Sequence, residues 1–243
     1  MGTIKEILYF DKPDQANTDE MIEFAIKRVK DTDIRRALIV YSTGHTFRKF
    51  QEVTKNAGLK FDTAVVTNAK GAHMPIVIQP QDNEETKKWK EDQLKQGITG
   101  TFISVTDETR EEMEKEGIKV YYVTDHLHLG EPLVQKEGGN PSRRQLAPFV
   151  IPQDLRPLDI DAGWDLSVFT IVSQGLRVCV GCMVVAVQNG LIPEGETVLT
   201  IGGKATALIM RAGSTAKTCL IKEILGFDRG SSWFERGFSM REP

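Results

Sequence analysis

The stretch Arg36-Ala-Leu-Ile-Val-Tyr-Ser-Thr-Gly-His-Thr-Phe-Arg-Lys-Phe50 decides the fold. Ala37 to Tyr41 is a short apolar run, the pattern of a parallel strand covered on both faces. Ser42, Thr43, Gly44, His45 and Thr46 then supply hydroxyls and a flexible backbone, and Phe47, Phe50 and Val53 follow at helical spacing. A strand, a tight polar turn and a helix start leave free backbone N–H groups at a helix N-terminus, where peptide dipoles favour an anion. Ser42 to Thr46 are therefore candidate ligand-binding residues for a small phosphorylated molecule. A helix cap alone would need one hydroxyl, and here three cluster around a glycine. The spacing of a Walker A loop is absent.

Around this stretch, strand and helix patterns alternate. Ile4 to Phe10 reads as a strand or extended lead-in. Asn17 or Thr18 is the expected cap of a helix whose apolar face is Met21, Ile22, Ala25, Ile26 and Val29. The helix from Thr46 should stop at Gly58. Further strands are expected at 60–67, 101–105, 118–124 and 196–201, with charged helices at 84–96 and 107–116 and a polar turn at 68–74. Between Pro75 and Pro80 the chain reads as extended. This order predicts an α/β fold with a mostly parallel sheet and helices on its faces, a three-layer sandwich.

Residues 125–157 break the rhythm and read as a loop-rich insertion. Helix resumes at 165–174, is interrupted at Gln174-Gly175, and continues from Leu176 to Gln188. That last segment is apolar almost all round and should be deeply buried. Thr206 to Met210 reads as a final edge strand, 216–225 as a helix, and the chain from Gly226 as an irregular tail. No repeat or linker is visible, so residues 1–243 are expected to form a single α/β domain.

The 243 residues are 40% hydrophobic and 27% charged, with a net charge of −3 from interspersed residues. That balance gives no electrostatic footprint for nucleic acid. No apolar run reaches bilayer-spanning length, and the N-terminus lacks a signal-peptide pattern. Three cysteines fit a reducing compartment, so a cytoplasmic protein is expected. A homo-oligomer is compatible with the sequence.

Thr67 and Asn68 end the next strand and join the candidate set. Gly202-Gly203-Lys204 follows a later parallel strand, so it should share the edge of the sheet with Ser42, where ligands of open α/β sheets bind. Lys204 could meet a phosphate as a point charge, or Gly-Gly could simply turn a hairpin into 206–210. Asp125-His126-Leu-His128 also follows a strand. No third His or Cys is placed nearby, so ordinary loop histidines are favoured over a metal site, and His126 is kept as a ligand-side residue. His45 or His73 could act as an acid–base group, without a partner visible in the sequence. Cys179-Val-Gly-Cys182 has redox spacing but sits in the most apolar helix, where buried thiols are expected. Pro141-Ser-Arg143-Arg144 could close over a phosphate, though such a pair is usually a solvated surface feature.

Two segments carry a family resemblance. Ala37-Leu-Ile-Val-Tyr-Ser-Thr-Gly-His-Thr46 and Asn189-Gly-Leu-Ile-Pro-Glu-Gly-Glu-Thr-Val-Leu-Thr-Ile-Gly-Gly203 resemble the two ends of the C-terminal domain of pyruvate kinase. With Ile7 to Pro13, Asn17-Thr18, Gln174-Gly175, Val178 to Val180 and Gly190 to Pro193, they are similar to free-standing archaeal proteins of that fold, over roughly residues 7–225. The turn after the fifth strand is shorter here than in those proteins, and the loop around His126 is only loosely similar. The resemblance implies the pyruvate kinase C-terminal fold and a phosphorylated ligand, a nucleotide such as FMN, without pyruvate kinase activity. An enzyme using the same site, with flavin or phosphate-ester chemistry, and a regulatory subunit with a vestigial site are the alternatives.

Overall fold

The computed structural model describes residues 5–11, 15–78, 84–123, 172–203 and 205–229. The expected loop 125–157, the helix at 165–171, Lys204, His126, His128, Arg143, Arg144 and the tail from residue 230 lie outside them.

Among the described residues, seven strands form one sheet in the order β1-β9-β8-β7-β2-β3-β6. They are β1 (Leu8–Phe10), β2 (Arg36–Tyr41), β3 (Asp62–Thr67), β6 (Lys119–Tyr122), β7 (Thr197–Gly202), β8 (Thr206–Arg211) and β9 (Leu220–Asp228). All pairings are parallel except those of β8, which is antiparallel to both neighbours. The fold is therefore α/β with a mostly parallel sheet. A separate two-stranded antiparallel ribbon joins β4 (His73–Pro75) to β5 (Gly100–Phe102).

Alternate residues of the central strands serve opposite faces, as strand geometry requires. Ala37, Ile39 and Tyr41 of β2, Val65 of β3, and Leu199 and Ile201 of β7 pack on one face. That face is covered by α1 (Gln15–Val29), α2 (His45–Asn56) and α4 (Asp107–Lys115), through Met21, Ile22, Phe47, Phe50 and Met113. Leu38, Ala64, Val66, Val198, Leu208 and Met210 face the other way, under α5 (Gln174–Gln188). Helix α3 (Glu84–Lys95) belongs to neither core.

Helix α5 lies very close to the sheet. A Cβ on Gly175 would fall 1.9 Å from Thr206 Oγ1, and one on Gly202 would fall 2.7 Å from Cys179 Sγ. Ser173 caps the helix, its hydroxyl accepting from Gly175 N at 3.1 Å.

Several expectations change. The first helix begins at Gln15, so Asn17 and Thr18 lie within it and Asp19 and Glu20 are past its first turn. Residues 101–105 do not add a strand to the main sheet, because Gly100–Phe102 pairs with His73–Pro75 across the inserted helix α3. Thr206 to Met210 is not an edge but an interior strand between β7 and β9, buried throughout. The predicted helix at 216–225 is instead a turn at 216–218 followed by strand β9, whose Leu220 to Asp228 completes the pairing of β8 and β1. The strand also carries the chain past Gly226, where a tail was expected. Gly-Gly at 202–203 opens a hairpin, with Gly202 opposite Thr206. The helix break expected at Gln174-Gly175 falls at Ser173, whose backbone is extended, and Gln174 and Gly175 form the first turn of α5.

Cys179 and Cys182 are free thiols, fully enclosed between α5 and the sheet. Burial pushes the Cys182 thiol up to about 12 and that of Cys179 well above the ordinary thiol range. Above about pH 9 the unfolded chain loses these protons while the folded chain keeps them, so stability falls as pH rises from there to about 12. Each thiol contributes a slope of at most about 1.4 kcal/mol per pH unit. Urea unfolding across this range should show a shallower alkaline decline for Cys182→Ala than for wild type. Equal slopes would show that this thiol ionises alike in both states.

Candidate functional site

The site is built where the chain direction across the sheet reverses. From β2 the chain proceeds through α2 to β3 on one side, while β7, on the other side of β2, leads away to β8. The crevice outside the carboxyl ends of β2 and β7 is the switch point at which open α/β sheets take ligands. Ile39 pairs with Ile201, so the turn after Tyr41 stands beside Gly203. On the other flank Tyr41 pairs with Thr67, which sets Asn68 beside Ser42.

Gly44 is the N-cap of α2, with φ 85°, and among the described residues no side-chain cap bond forms there. Ser42 and Thr43 are exposed and their hydroxyls are not spent as caps, while Gly44 is buried. His45 is the first residue of α2 and Thr46 the second, both partly exposed. The helix ends with Gly58 in the left-handed region, as expected from the sequence.

Two residues absent from the sequence-based set stand at this turn. A Cβ on Gly44 would fall 2.6 Å from both Arg48 Nη1 and Tyr41 Oη. The Arg48 guanidinium thus folds back over the N-terminus of α2, while its N–H donates to Gly44 O at 3.0 Å. Burial raises the Tyr41 phenol above its ordinary range, with the Arg48 charge acting in the opposite sense. The phenol therefore stays protonated near neutrality and can donate.

The structure also supplies the partner that His45 lacked in the sequence. His45 Nε2 lies 2.6 Å from Asp19 Oδ1, across the packed pair α1 and α2. In the neutral tautomer with Nε2 donating to Asp19, Nδ1 is left as an acceptor. The i, i+3 or i, i+4 logic of a single helix could not reveal this contact, because 26 residues separate the pair. Arg48, in contrast, was findable: it lies one helical turn after Gly44, on the same face.

The remaining candidates divide. Gly203 sits at the crevice, and a Cβ there would meet nothing within 4 Å. Gly202 is buried against Cys179. Thr67 and Asn68 reach the right edge, yet both are engaged. Thr67 Oγ1 accepts from Val105 N at 3.1 Å, and Asn68 Nδ2 donates to Ile103 O at 2.7 Å. These bonds anchor the return of the β4–β5 ribbon. His73 is on that ribbon, with its ring over Gly100.

Arg177 of α5 is almost wholly buried, and its burial lowers the guanidinium below its ordinary range. A groove of about 700 Å³ opens at the opposite end of the sheet, beneath the first residues of β2, β3 and β7. Five of its lining charges, Lys5, Arg36, Asp62, Glu196 and Glu223, are held in ion pairs. Arg36 bridges Asp62 at 2.8 Å and Glu196 at 2.9 Å, and Glu223 meets Arg28 and Lys5. Among the described residues, no three His, Cys, Asp or Glu side chains group as metal ligands, and no helix is long and apolar enough to cross a membrane. No protein-family model matches the chain.

Gly44 is constrained twice, by its left-handed backbone and by the groups its missing Cβ would strike. Gly44→Ala should cost about 1–2 kcal/mol from the backbone alone, and more if Arg48 and Tyr41 cannot shift. Chemical denaturation checks this, and a change below a few tenths would show that the turn relaxes freely.

Proposed function

We propose that the chain binds a phosphorylated small molecule or nucleotide, with FMN as the first candidate, in the crevice outside β2 and β7. The reading includes a fold of the pyruvate kinase C-terminal type, without pyruvate kinase activity. One observation carries the reading: an uncapped helix N-terminus at the switch point has a guanidinium folded back beside it. Backbone N–H groups of the α2 first turn offer directed donors to a phosphate. Arg48 adds charge and a planar fork of donors, and the exposed Ser42 and Thr43 hydroxyls complete the cradle. The open space at Gly203 leaves room on the β7 side.

A second reading, an enzyme on the same site, rests on the His45–Asp19 pair. A carboxylate that fixes one ring nitrogen leaves the other to move a proton on a bound phosphate ester or flavin. Loss of turnover in His45→Gln with ligand binding intact would favour it.

FMN titration followed by flavin fluorescence, with inorganic phosphate as competitor, tests the binding reading. Arg48→Gln and Thr43→Ala should each weaken FMN by roughly ten- to a hundredfold, the worth of about 1.5–3 kcal/mol for one charge-assisted hydrogen bond. Unchanged affinity in both variants, or native mass spectra of the protein without any phosphate-containing ligand together with no FMN or phosphate binding, would reject the site. ADP-dependent pyruvate formation by the pure protein would overturn the predicted lack of kinase activity.

A further inference from the structure

Tyr41 carries a buried hydroxyl that the fold leaves without a hydrogen bond. The residue ends β2, and its side chain belongs to the core beneath α1 and α2, only 8% exposed. Its ring packs against Phe47 in the first turn of α2, with centroids 6.2 Å apart and planes tilted by 53°. That contact carries the hydroxyl to the cap of the helix. A Cβ on Gly44 would fall 2.6 Å from Tyr41 Oη and equally close to Arg48 Nη1. Among the described residues, Tyr41 Oη makes no hydrogen bond. Buried hydroxyls are nearly always bonded, because an unbonded one loses its water without replacement. Phenylalanine would give the same ring packing without that loss, so the hydroxyl calls for a partner outside the fold.

We propose that Tyr41 is a ligand-binding residue, whose phenol donates a hydrogen bond to the anion held at the α2 N-terminus. This inference rests on the phosphate reading of the crevice and adds to it a group from the strand. Tyr41 Oη and Arg48 Nη1 each approach one point, the missing Cβ of Gly44, at 2.6 Å, so they stand no more than twice that distance apart. Two donors so placed can address separate oxygens of a single phosphate. They do so at the helix end where backbone N–H groups supply the remaining contacts.

The protonation state suits that role. Burial raises the phenol above its ordinary range, and the Arg48 charge, the smaller effect, acts the other way. Tyr41 is thus a neutral donor near neutrality, whereas an ionised phenol would repel the anion and could donate nothing. A bound anion adds negative charge beside the phenol and favours its protonated form further. The contact also differs in kind from those of Ser42 and Thr43. Their side chains are exposed and must be ordered and desolvated on binding, while Tyr41 is already fixed by its packing and largely stripped of water.

Inorganic phosphate is the probe, titrated into the full chain by calorimetry and by NMR of protein carrying ¹³C at tyrosine Cζ. The chain has four tyrosines, and Tyr41→Phe identifies the Tyr41 resonance by its loss. Phosphate should shift that resonance in wild type. Tyr41→Phe should bind phosphate about tenfold more weakly or worse, the effect of one hydrogen bond to a charged group. Its circular dichroism should match wild type, and its thermal midpoint without phosphate should hold or rise, since the lost hydroxyl serves no contact in the fold. Phosphate affinity unchanged in Tyr41→Phe, or a Tyr41 resonance that phosphate leaves in place, would overturn the assignment and leave water as the partner of the phenol. Weaker phosphate binding by Arg48→Gln in that case would keep the anion site without Tyr41. A wild type that binds neither phosphate nor FMN would remove the site and the role of Tyr41 together.

Discussion

The rest of the structure depends on how closely α5 approaches the turn between β7 and β8. Gly175 lies against Thr206 and Gly203, and Gly202 lies against Cys179, at separations no side chain would permit. That approach lets an almost wholly apolar helix lie flat over Leu38, Val66, Val198 and Leu208. Without it, the second face of β2 would be open to water, and a strand with no polar alternation could not be interior. Covering β2 from both sides also dictates the route of the chain. Helices α1 and α2 take one face, so α5 must return over the other and deliver β7 to the far side of β2. The crevice at the carboxyl ends of β2 and β7 is a direct consequence of that route.

The two ends of the sheet then differ in their electrostatics. At the amino ends, Arg36, Asp62, Glu196, Arg28, Lys5 and Glu223 neutralise one another. Burial alone would raise the Glu223 carboxyl, but hydrogen bonds from Lys5 and Arg28 outweigh it and hold the group below its ordinary range. Such partly exposed pairs contribute little stability each, about 1 kcal/mol or less, yet they leave the groove without a dominant sign of charge. At the carboxyl ends the α2 N-terminus is uncapped, with the Arg48 guanidinium beside it. Opposite ends of one sheet thus offer a neutralised groove and a polarised turn, and only the second favours an anion.

Much of the fold was legible because burial on two faces removes alternation. The runs at Ala37, Thr63 and Val198 could hardly be anything but interior strands, and the apolar α5 could only be covered. The failures share a cause. Residues 216–225 lack a decisive period, and their strand state is set by pairing with β8 and β1 at long range. A two-residue slip arises there because β9 carries register shifts against β8. Thr101 has strand character, yet it pairs with Met74 across the inserted helix, a partner that local pattern cannot name. At the candidate site the backbone geometry followed from Ser-Thr-Gly, whereas Asp19 beside His45 came from the packing of two helices, which the sequence does not encode locally.

The position of Arg48 is the feature on which the proposed anion site rests. A left-handed N-cap requires glycine for its φ, and that requirement would be met with any residue at position 48. Helical geometry tilts each Cα–Cβ bond toward the N-terminus, so a long side chain four residues past the cap reaches back over the free N–H groups. Placed there, a guanidinium sits beside backbone donors that the helix dipole already makes positive, an arrangement that opposes the macrodipole and costs stability. A turn serving only to start a helix would gain from a carboxylate in that position. The cation is unfavourable for the helix alone, and a bound anion between guanidinium and N-terminus reverses the sign of the interaction.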